Sequence, residues 1–202
     1  MDLWSIEKDL KKDGYLAVCG VDEAGRGPLA GPVYAAAVIL PDGIGFPGLN
    51  DSKKLPAGAR ERLYSLIVKE AVAYGVAYAD NIEIDSVNIL NATFLAMRRA
   101  ILKIAIRPDF VIIDGNRDPG ICYPSRCVVG GDGKSASIAA ASILAKIERD
   151  AYMTDISFKY PGYGFEKHKG YGTKLHYEML MEHGPSDVHR KTFLRKMGNT
   201  SG

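Results

Sequence analysis

Two apolar, β-prone stretches of this 202-residue chain each run into a carboxylate and then a glycine. Tyr15 to Asp22 leads to Asp22-Glu23-Ala24-Gly25, and Phe110 to Asp114 leads to Gly115. A third acid, Asp132, sits in the glycine loop Gly130-Gly131-Asp132-Gly133 ahead of an alanine-rich helical stretch. Strands that end this way belong to an open α/β sheet, because such sheets gather polar groups beyond their strand ends, where ligands bind. Several carboxylates brought together raise one another's pKa and call for a counter-charge. Oxygen-only donors favour Mg²⁺ or Mn²⁺ over zinc. Two such ions about 4 Å apart activate a water and stabilise the leaving oxygen of a phosphodiester. Adjacent strand residues point to opposite faces. Asp22 and Glu23 therefore serve one site only if the strand ends or bulges there, which Gly25 favours.

The remaining pattern supports one α/β layer. Residues 3 to 12 form a short amphipathic helix, and Val33 to Leu40 a buried strand. Pro56 to Tyr74 has helical apolar spacing with Gly75 as its stop, and Val76 to Ala79 forms a strand. Asp85 to Ala105 is a long amphipathic helix, with Asp85 or Ser86 as its N-cap. Val128-Val129 is a brief strand. Ser135 to Tyr152 is a helix whose small residues allow close approach, and Thr173 to His183 is another. Strands first, then alternating helix and strand, predict a mixed sheet covered by helices. No internal repeat is visible.

Lys and Arg number 26 against 24 Asp and Glu, so total charge does not point to an anionic partner. Its distribution does: Lys159 to Met197 holds eight Lys or Arg, four Asp or Glu and all four histidines, which predicts a local basic surface. Cys19, Cys122 and Cys127 form no disulfide framework or zinc spacing and are expected as reduced thiols. No apolar run approaches a membrane span, and the N-terminus has no signal-peptide character, so a cytoplasmic protein is expected.

The run from Gly20 to Val33, Gly20-Val21-Asp22-Glu23-Ala24-Gly25-Arg26-Gly27-Pro28-Leu29-Ala30-Gly31-Pro32-Val33, strongly resembles the opening signature of ribonuclease HII. Asp51-Ser52-Lys53-Lys54-Leu55 and Ile113-Asp114-Gly115-Asn116 resemble that family's second and third motifs. Gly131-Asp132, with Ala139 to Lys146 and Arg149-Asp150, resembles the fourth. His168-Lys169-Gly170-Tyr171-Gly172-Thr173 and His183-Gly184-Pro185 resemble the C-terminal ones. The likeness covers residues 3 to 194 in family order, in the bacterial form. It implies a ribonuclease H-like mixed five-stranded sheet flanked by helices, with a small helical C-terminal region. The division expected is a catalytic core over residues 1–160 and a basic region over 161–202 that completes the substrate cleft. It also implies four catalytic, metal-binding carboxylates at Asp22, Glu23, Asp114 and Asp132, and Mg²⁺ or Mn²⁺ as cofactor, two ions in the active complex. The implied reaction is cleavage of the RNA strand of RNA–DNA hybrids and cutting 5′ of single ribonucleotides in duplex DNA, leaving 3′-hydroxyl and 5′-phosphate ends.

Substrate contacts are expected at Gly25, Arg26 and Gly27, where glycines let the backbone approach a 2′-hydroxyl, the group that tells RNA from DNA. Arg26 itself either contacts phosphate or holds the loop in shape. Tyr171 matches the family's substrate tyrosine, whose ring packs on a deoxyribose. Ser52 with Lys53, and Lys134 with Ser135, suit phosphate contacts, Ser135 being equally readable as a helix N-cap. His168 is a phosphate contact or a structural residue. No sliding-clamp motif stands out, so no such partner is expected; a monomer with no obligatory protein partner is expected. Two rival readings are a module that binds hybrids without cutting, which clustered acids oppose, and another nuclease or integrase of the same fold class, which would not need the glycine-arginine-glycine loop.

Overall fold

The computed structural model describes residues 2–42, 45–49 and 56–195. Its strands are β1 (Val18–Ala24), β2 (Val33–Ile39), β3 (Ala73–Ala79), β4 (Phe110–Asp114) and β5 (Ser125–Val128). Its helices are α1 (Ser5–Lys12), α2 (Ala57–Glu70), α3 (Asn81–Leu102), α4 (Ala136–Lys159), α5 (Phe165–His168), α6 (Lys174–His183) and α7 (Lys191–Leu194). The five strands form one mixed sheet in the order β3-β2-β1-β4-β5. β1 pairs antiparallel with β2 and parallel with β4, and β4 pairs parallel with β5.

β2 is buried along its whole length, which is why Val33 to Ile39 reads as an unbroken apolar run rather than an alternating one. One face of the sheet packs Val21, Ala35 and Ala37 against Ala92, Ala96 and Ala100 of α3. The other packs Ala36 and Val38 against Leu63 and Ile67 of α2 and the alanines of α4. The two sheet edges are treated differently. On β3, the outward carbonyls of Val76 and Tyr78 accept from Lys103 Nζ and Arg99 Nη1, which blunts that edge.

Small residues set the depth of α4. A Cβ at Gly20 would lie 2.2 Å from the carbonyl carbon of Ser137 and 2.4 Å from the nitrogen of Ile138. Both are backbone atoms of the first turn of α4 and have no flexible end to yield. Gly20→Ala is expected to destabilise the chain by about 3 kcal/mol. A urea denaturation midpoint within error of the parent would contradict this packing.

Several boundaries differ from the sequence reading. The second helix stops at Glu70, where Ala71 turns extended, and Gly75 lies inside β3 rather than capping the helix. Its missing side chain makes room for α3, since a Cβ there would sit 2.3 Å from the Ala100 carbonyl oxygen. The long helix starts at Asn81, not Asp85. Asp80 accepts from the Glu83 N–H at 2.8 Å while Glu83 accepts from the Asp80 N–H at 3.1 Å, a reciprocal capping box that outcompetes later caps. α3 also breaks at Asn88 (φ 69°), whose side chain caps the second segment through the Leu90 and Asn91 N–H groups. Asp85 instead caps α7, accepting from the N–H groups of Lys191 and Thr192 at 2.8 and 2.9 Å.

The C-terminal segment is sewn onto the loop that follows β1. Ala30 and His189 form an isolated antiparallel bridge, with Gly31 N–H donating to Val188 and Arg190 N–H to Leu29. Met153 of α4, Tyr163, Phe165 and Val188 close a small apolar cluster around Ala30. Among the described residues no helix is long and apolar enough to cross a membrane.

Candidate active site

The acids gather through strand register. β1 and β4 pair in parallel as Val18 with Phe110 through Val21 with Ile113, so the next step sets Asp22 beside Asp114. Asp114 Oδ1 accepts from the Gly131 N–H at 2.6 Å, which locks the 3-10 turn Gly131–Gly133, and with it the buried Asp132, onto the end of β4. Asp22 is buried and accepts from the Glu23 N–H at 2.7 Å. Burial pushes its carboxyl well above the usual range, reinforced by the negative charges of Glu23 and Asp114 and only partly offset by a hydrogen bond with Ser142 of α4. Burial also raises Glu23, against the pull of Arg26, whose Nη1 lies 3.3 Å from Glu23 Oε1.

β1 does not bulge at Asp22-Glu23; it ends one residue further on, at Ala24, just before Gly25, as the sequence reading required. Its pairing with β2 runs regularly through Glu23 with Ala35 and Ala24 with Tyr34. The two acids still flank one edge because β4 ends at Asp114. Among the described residues no strand continues beside β1 on that side past Asp114. Glu23 lines both clefts of this edge. One, of about 330 Å³, includes Arg26, Thr93, Phe94, Asp114, Gly115 and Asn116. The other, of about 280 Å³, includes Gly25, Arg60, Ser142, Lys146 and Tyr171.

The donor set suits a hard divalent cation. Its carboxylates are crowded at one sheet edge, with Asp22 and Asp132 buried and Glu23 and Asp114 half-buried. Among the described residues no three acid, imidazole or thiol groups converge tightly enough to cage an ion unaided. A Mg²⁺-type ion needs only one or two protein carboxylates, its other ligands coming from water and substrate phosphate.

Gly25, Arg26, Gly27 and Tyr171 come together at the mouth of this region. A Cβ at Gly27 would touch Tyr171 Cε1 at 4.0 Å. The Tyr171 ring is 41% exposed, with Lys146 Nζ 5.9 Å and Arg149 Cζ 5.5 Å from its centre. Lys134 is exposed and folds its ammonium back to the Val129 carbonyl at 2.7 Å. Ser135 is an N-cap: it is fully buried, accepts from the Ile138 N–H and donates to Glu7 Oε1 at 2.6 Å. Ser52 and Lys53 lie outside the described residues.

The C-terminal basic surface is smaller than its composition predicts. Arg190, His176 and His189 are fully buried and His168 nearly so, while Lys159, Lys167, Lys174, Lys191 and Arg195 are exposed. Sequence reasoning missed Arg149, Arg190 and the histidine network as parts of the site's support. The signal for the histidines was their interleaving with Tyr163, Phe165 and Tyr171.

That network has one consistent set of tautomers. His176 Nδ1 faces the Tyr171 carbonyl at 2.9 Å and must donate. Its Nε2 then accepts from His189 Nε2–H at 3.0 Å, leaving His189 Nδ1 to accept from the Ser186 N–H and hydroxyl. His168 Nε2 donates to the Tyr163 carbonyl and its Nδ1 accepts from the Gly170 N–H. His168 is thus structural, and all three rings are neutral. Burial, then neighbouring imidazoles, push His189 down to about 4, and burial does the same for His176. A folded pKa below the unfolded value of 6.5 gives stability that is present above pH 6.5 and lost as pH falls towards 4. Urea midpoints measured from pH 7 to pH 4 should fall across that window, and His189→Gln should flatten the slope. A pH-independent midpoint would refute the neutral network.

The sheet order, the helices on both faces and the acidic edge of β1 and β4 define a ribonuclease H-like fold. A solved ribonuclease H2 from Pyrococcus horikoshii superposes with a TM-score of 0.73 at 27% identity, covering 88% of this chain and 93% of that one. The ribonuclease HII of Archaeoglobus fulgidus, solved with PCNA, gives 0.70 at 26%, covering 87% and 94%. A ribonuclease HII from Caldicellulosiruptor saccharolyticus is 54% identical over 194 residues, 96% of this chain and 95% of its own. The family model for Ribonuclease HII matches residues 19–196, and the chain belongs to that family. It is therefore an endoribonuclease of the ribonuclease H type, acting on the RNA of RNA–DNA hybrids.

Proposed function

We propose that this enzyme also cuts duplex DNA on the 5′ side of a single embedded ribonucleotide, leaving 3′-hydroxyl and 5′-phosphate ends. The observation that carries this reading is the meeting of the Gly25–Gly27 backbone with the Tyr171 ring beside Glu23. A loop with little side chain admits a ribose closely enough for backbone groups to bond its 2′-hydroxyl. The neighbouring ring packs on a sugar without that hydroxyl, so the pair favours ribose on one side of the cut and deoxyribose on the other.

Asp22, Glu23, Asp114 and Asp132 are the catalytic carboxylates and would hold the two Mg²⁺ or Mn²⁺ ions of the active complex. When bound, such ions supply an activated water and positive charge for the leaving oxygen. Asp22 is the most deeply set of the four and orients through Ser142 and the Glu23 N–H. Glu23 is shared between the two clefts, and Arg26 steadies it from the solvent side. Lys146, which lines the cleft with Glu23 and ion-pairs with Asp150, and the exposed Lys134 offer phosphate contacts, and the motif lysine Lys53 with Ser52 adds another. Residues 161–202 act as a region that completes the cleft, since they deliver Tyr171. The enzyme works in the cytoplasm as a monomer.

The test is cleavage of a DNA duplex carrying one ribonucleotide, with Mg²⁺, Mn²⁺ or EDTA, beside an all-DNA duplex. A single metal-dependent cut 5′ of the ribonucleotide, with the all-DNA duplex intact, is expected. Equal cutting of both duplexes would remove ribose discrimination from the reading, and cutting in EDTA would remove the ions.

A further inference from the structure

We infer that Arg190 is a positioning residue for ribose recognition, orienting the peptide planes of the Gly25–Gly27 loop. This rests on the loop's role proposed above.

Arg190 is fully buried and, among the described residues, has no ion-pair partner. A buried charge of this kind is costly unless its donors are satisfied. Its guanidinium meets that cost with backbone carbonyls alone: Nη2 donates to Gly25 O at 2.6 Å and to Pro32 O at 3.2 Å, Nη1 to Arg26 O at 2.9 Å, and Nε to Gly31 O at 2.9 Å. The rigid, planar fork of arginine suits such a set, and lysine's point charge does not. An apolar side chain of that volume would leave these carbonyls without donors, so the arginine answers the loop's polar groups and not packing alone.

The consequence lies on the opposite side of each peptide. In a trans peptide the C=O and the following N–H point in opposite directions. With the carbonyls of Gly25 and Arg26 turned inward to Arg190, the N–H groups of Arg26 and Gly27 turn outward. Among the described residues neither donates to a protein acceptor. Gly25 lines the cleft beside Glu23, and Gly27 lies next to Tyr171. Two outward donors at that place match a hydroxyl acceptor on a ribose. Arg190 itself is held from behind by its own N–H to Leu29 O at 2.8 Å and by the Phe193 ring 5.1 Å from Cζ. The C-terminal segment therefore reaches the site twice, through Tyr171 directly and through Arg190 from beneath.

The experiment uses the full ¹⁵N-labelled chain and Arg190→Lys, titrated in Ca²⁺ with a DNA duplex carrying one ribonucleotide and with the all-DNA duplex. In the parent, the Arg26 and Gly27 amide signals should shift with the first duplex and not with the second. In Arg190→Lys that difference should vanish while Lys146 and Tyr171 signals still report binding. With Mg²⁺, its kcat on the ribonucleotide duplex should fall about 100-fold with KM within about threefold. If the parent shows no ribonucleotide-dependent shift, the loop is not the ribose reader and the proposed function loses its support there. If the parent shows it and Arg190→Lys keeps it with full kcat, Arg190 is only a structural pin. Should the variant not fold, the parent alone decides. Slow solvent exchange of the Arg190 Nε–H, with the amides of Arg26 and Gly27 exchanging fast until the ribonucleotide duplex is added, is expected. The reverse order would overturn the inference.

Discussion

Asp114→Asn is expected to cut an RNA–DNA hybrid at least about a thousandfold more slowly than the parent while binding it with similar affinity. The carboxylate stands beside Asp22 at the end of two parallel strands. On the proposed two-ion mechanism, neutralising it removes a metal ligand worth several kcal/mol of transition-state charge stabilisation, each 1.4 kcal/mol being about tenfold in rate. The fold should not suffer. Asparagine keeps the oxygen that accepts from the Gly131 N–H. It also removes one of the charges that raise Asp22. Thermal unfolding should therefore occur at the parent temperature or above it. Gel-based cleavage and fluorescence anisotropy with the same hybrid check both halves. Cleavage above a tenth of the parent rate would remove Asp114 from the catalytic set.

Gly25→Ala should combine a stability loss with an activity loss. The backbone there has φ +95°, and a Cβ would lie 2.0 Å from Arg149 Nε and 2.3 Å from its Cδ. Arg149 has little room to retreat, because it is fully buried and its Nε and Nη2 are bonded to the carbonyls of Pro32 and Ala30. Backbone strain of about 1–3 kcal/mol adds to the overlap, so a loss of about 3 kcal/mol is expected by urea denaturation. Displacing the loop by an ångström should also cost about a hundredfold in kcat. Gly27→Ala is the control. Its Cβ meets only the Tyr171 ring at 4.0 Å, so stability should stay within about 0.5 kcal/mol while cleavage at a ribonucleotide falls. If Gly25→Ala matches the parent in stability, Arg149 does not hold the place assigned to it.

Local pattern made much of this protein legible. The apolar runs of β1, β2 and β4 and the alanine stripe of α4 are dictated by burial on both sides, and each shows in a window of a few residues. Asp22, Asp114 and Asp132 were visible as acids at strand ends and in a glycine turn, because that context depends only on neighbours in the chain. The run from Gly20 to Val33 carried the resemblance to the family in the sequence alone. Local competition was harder to read. Asp80 with Glu83 outranked Asp85 as a cap, and Gly75 served a helix packed across it rather than a helix end before it.

The sequence by itself singled out the candidate carboxylates and determined the order of the elements that bear them. Only the tertiary structure decided how they meet. The parallel register of β1 and β4 sets Asp22 beside Asp114, and the early end of β4 lets Glu23 join them without a bulge. Arg190 reaches the carbonyl of Gly25 across 165 positions of chain, and nothing local distinguishes it from the exposed Lys191 that follows. The physical reason is one of range. Propensity and burial period are settled by nearest neighbours, whereas a buried guanidinium is satisfied only by carbonyls that the finished fold brings to it.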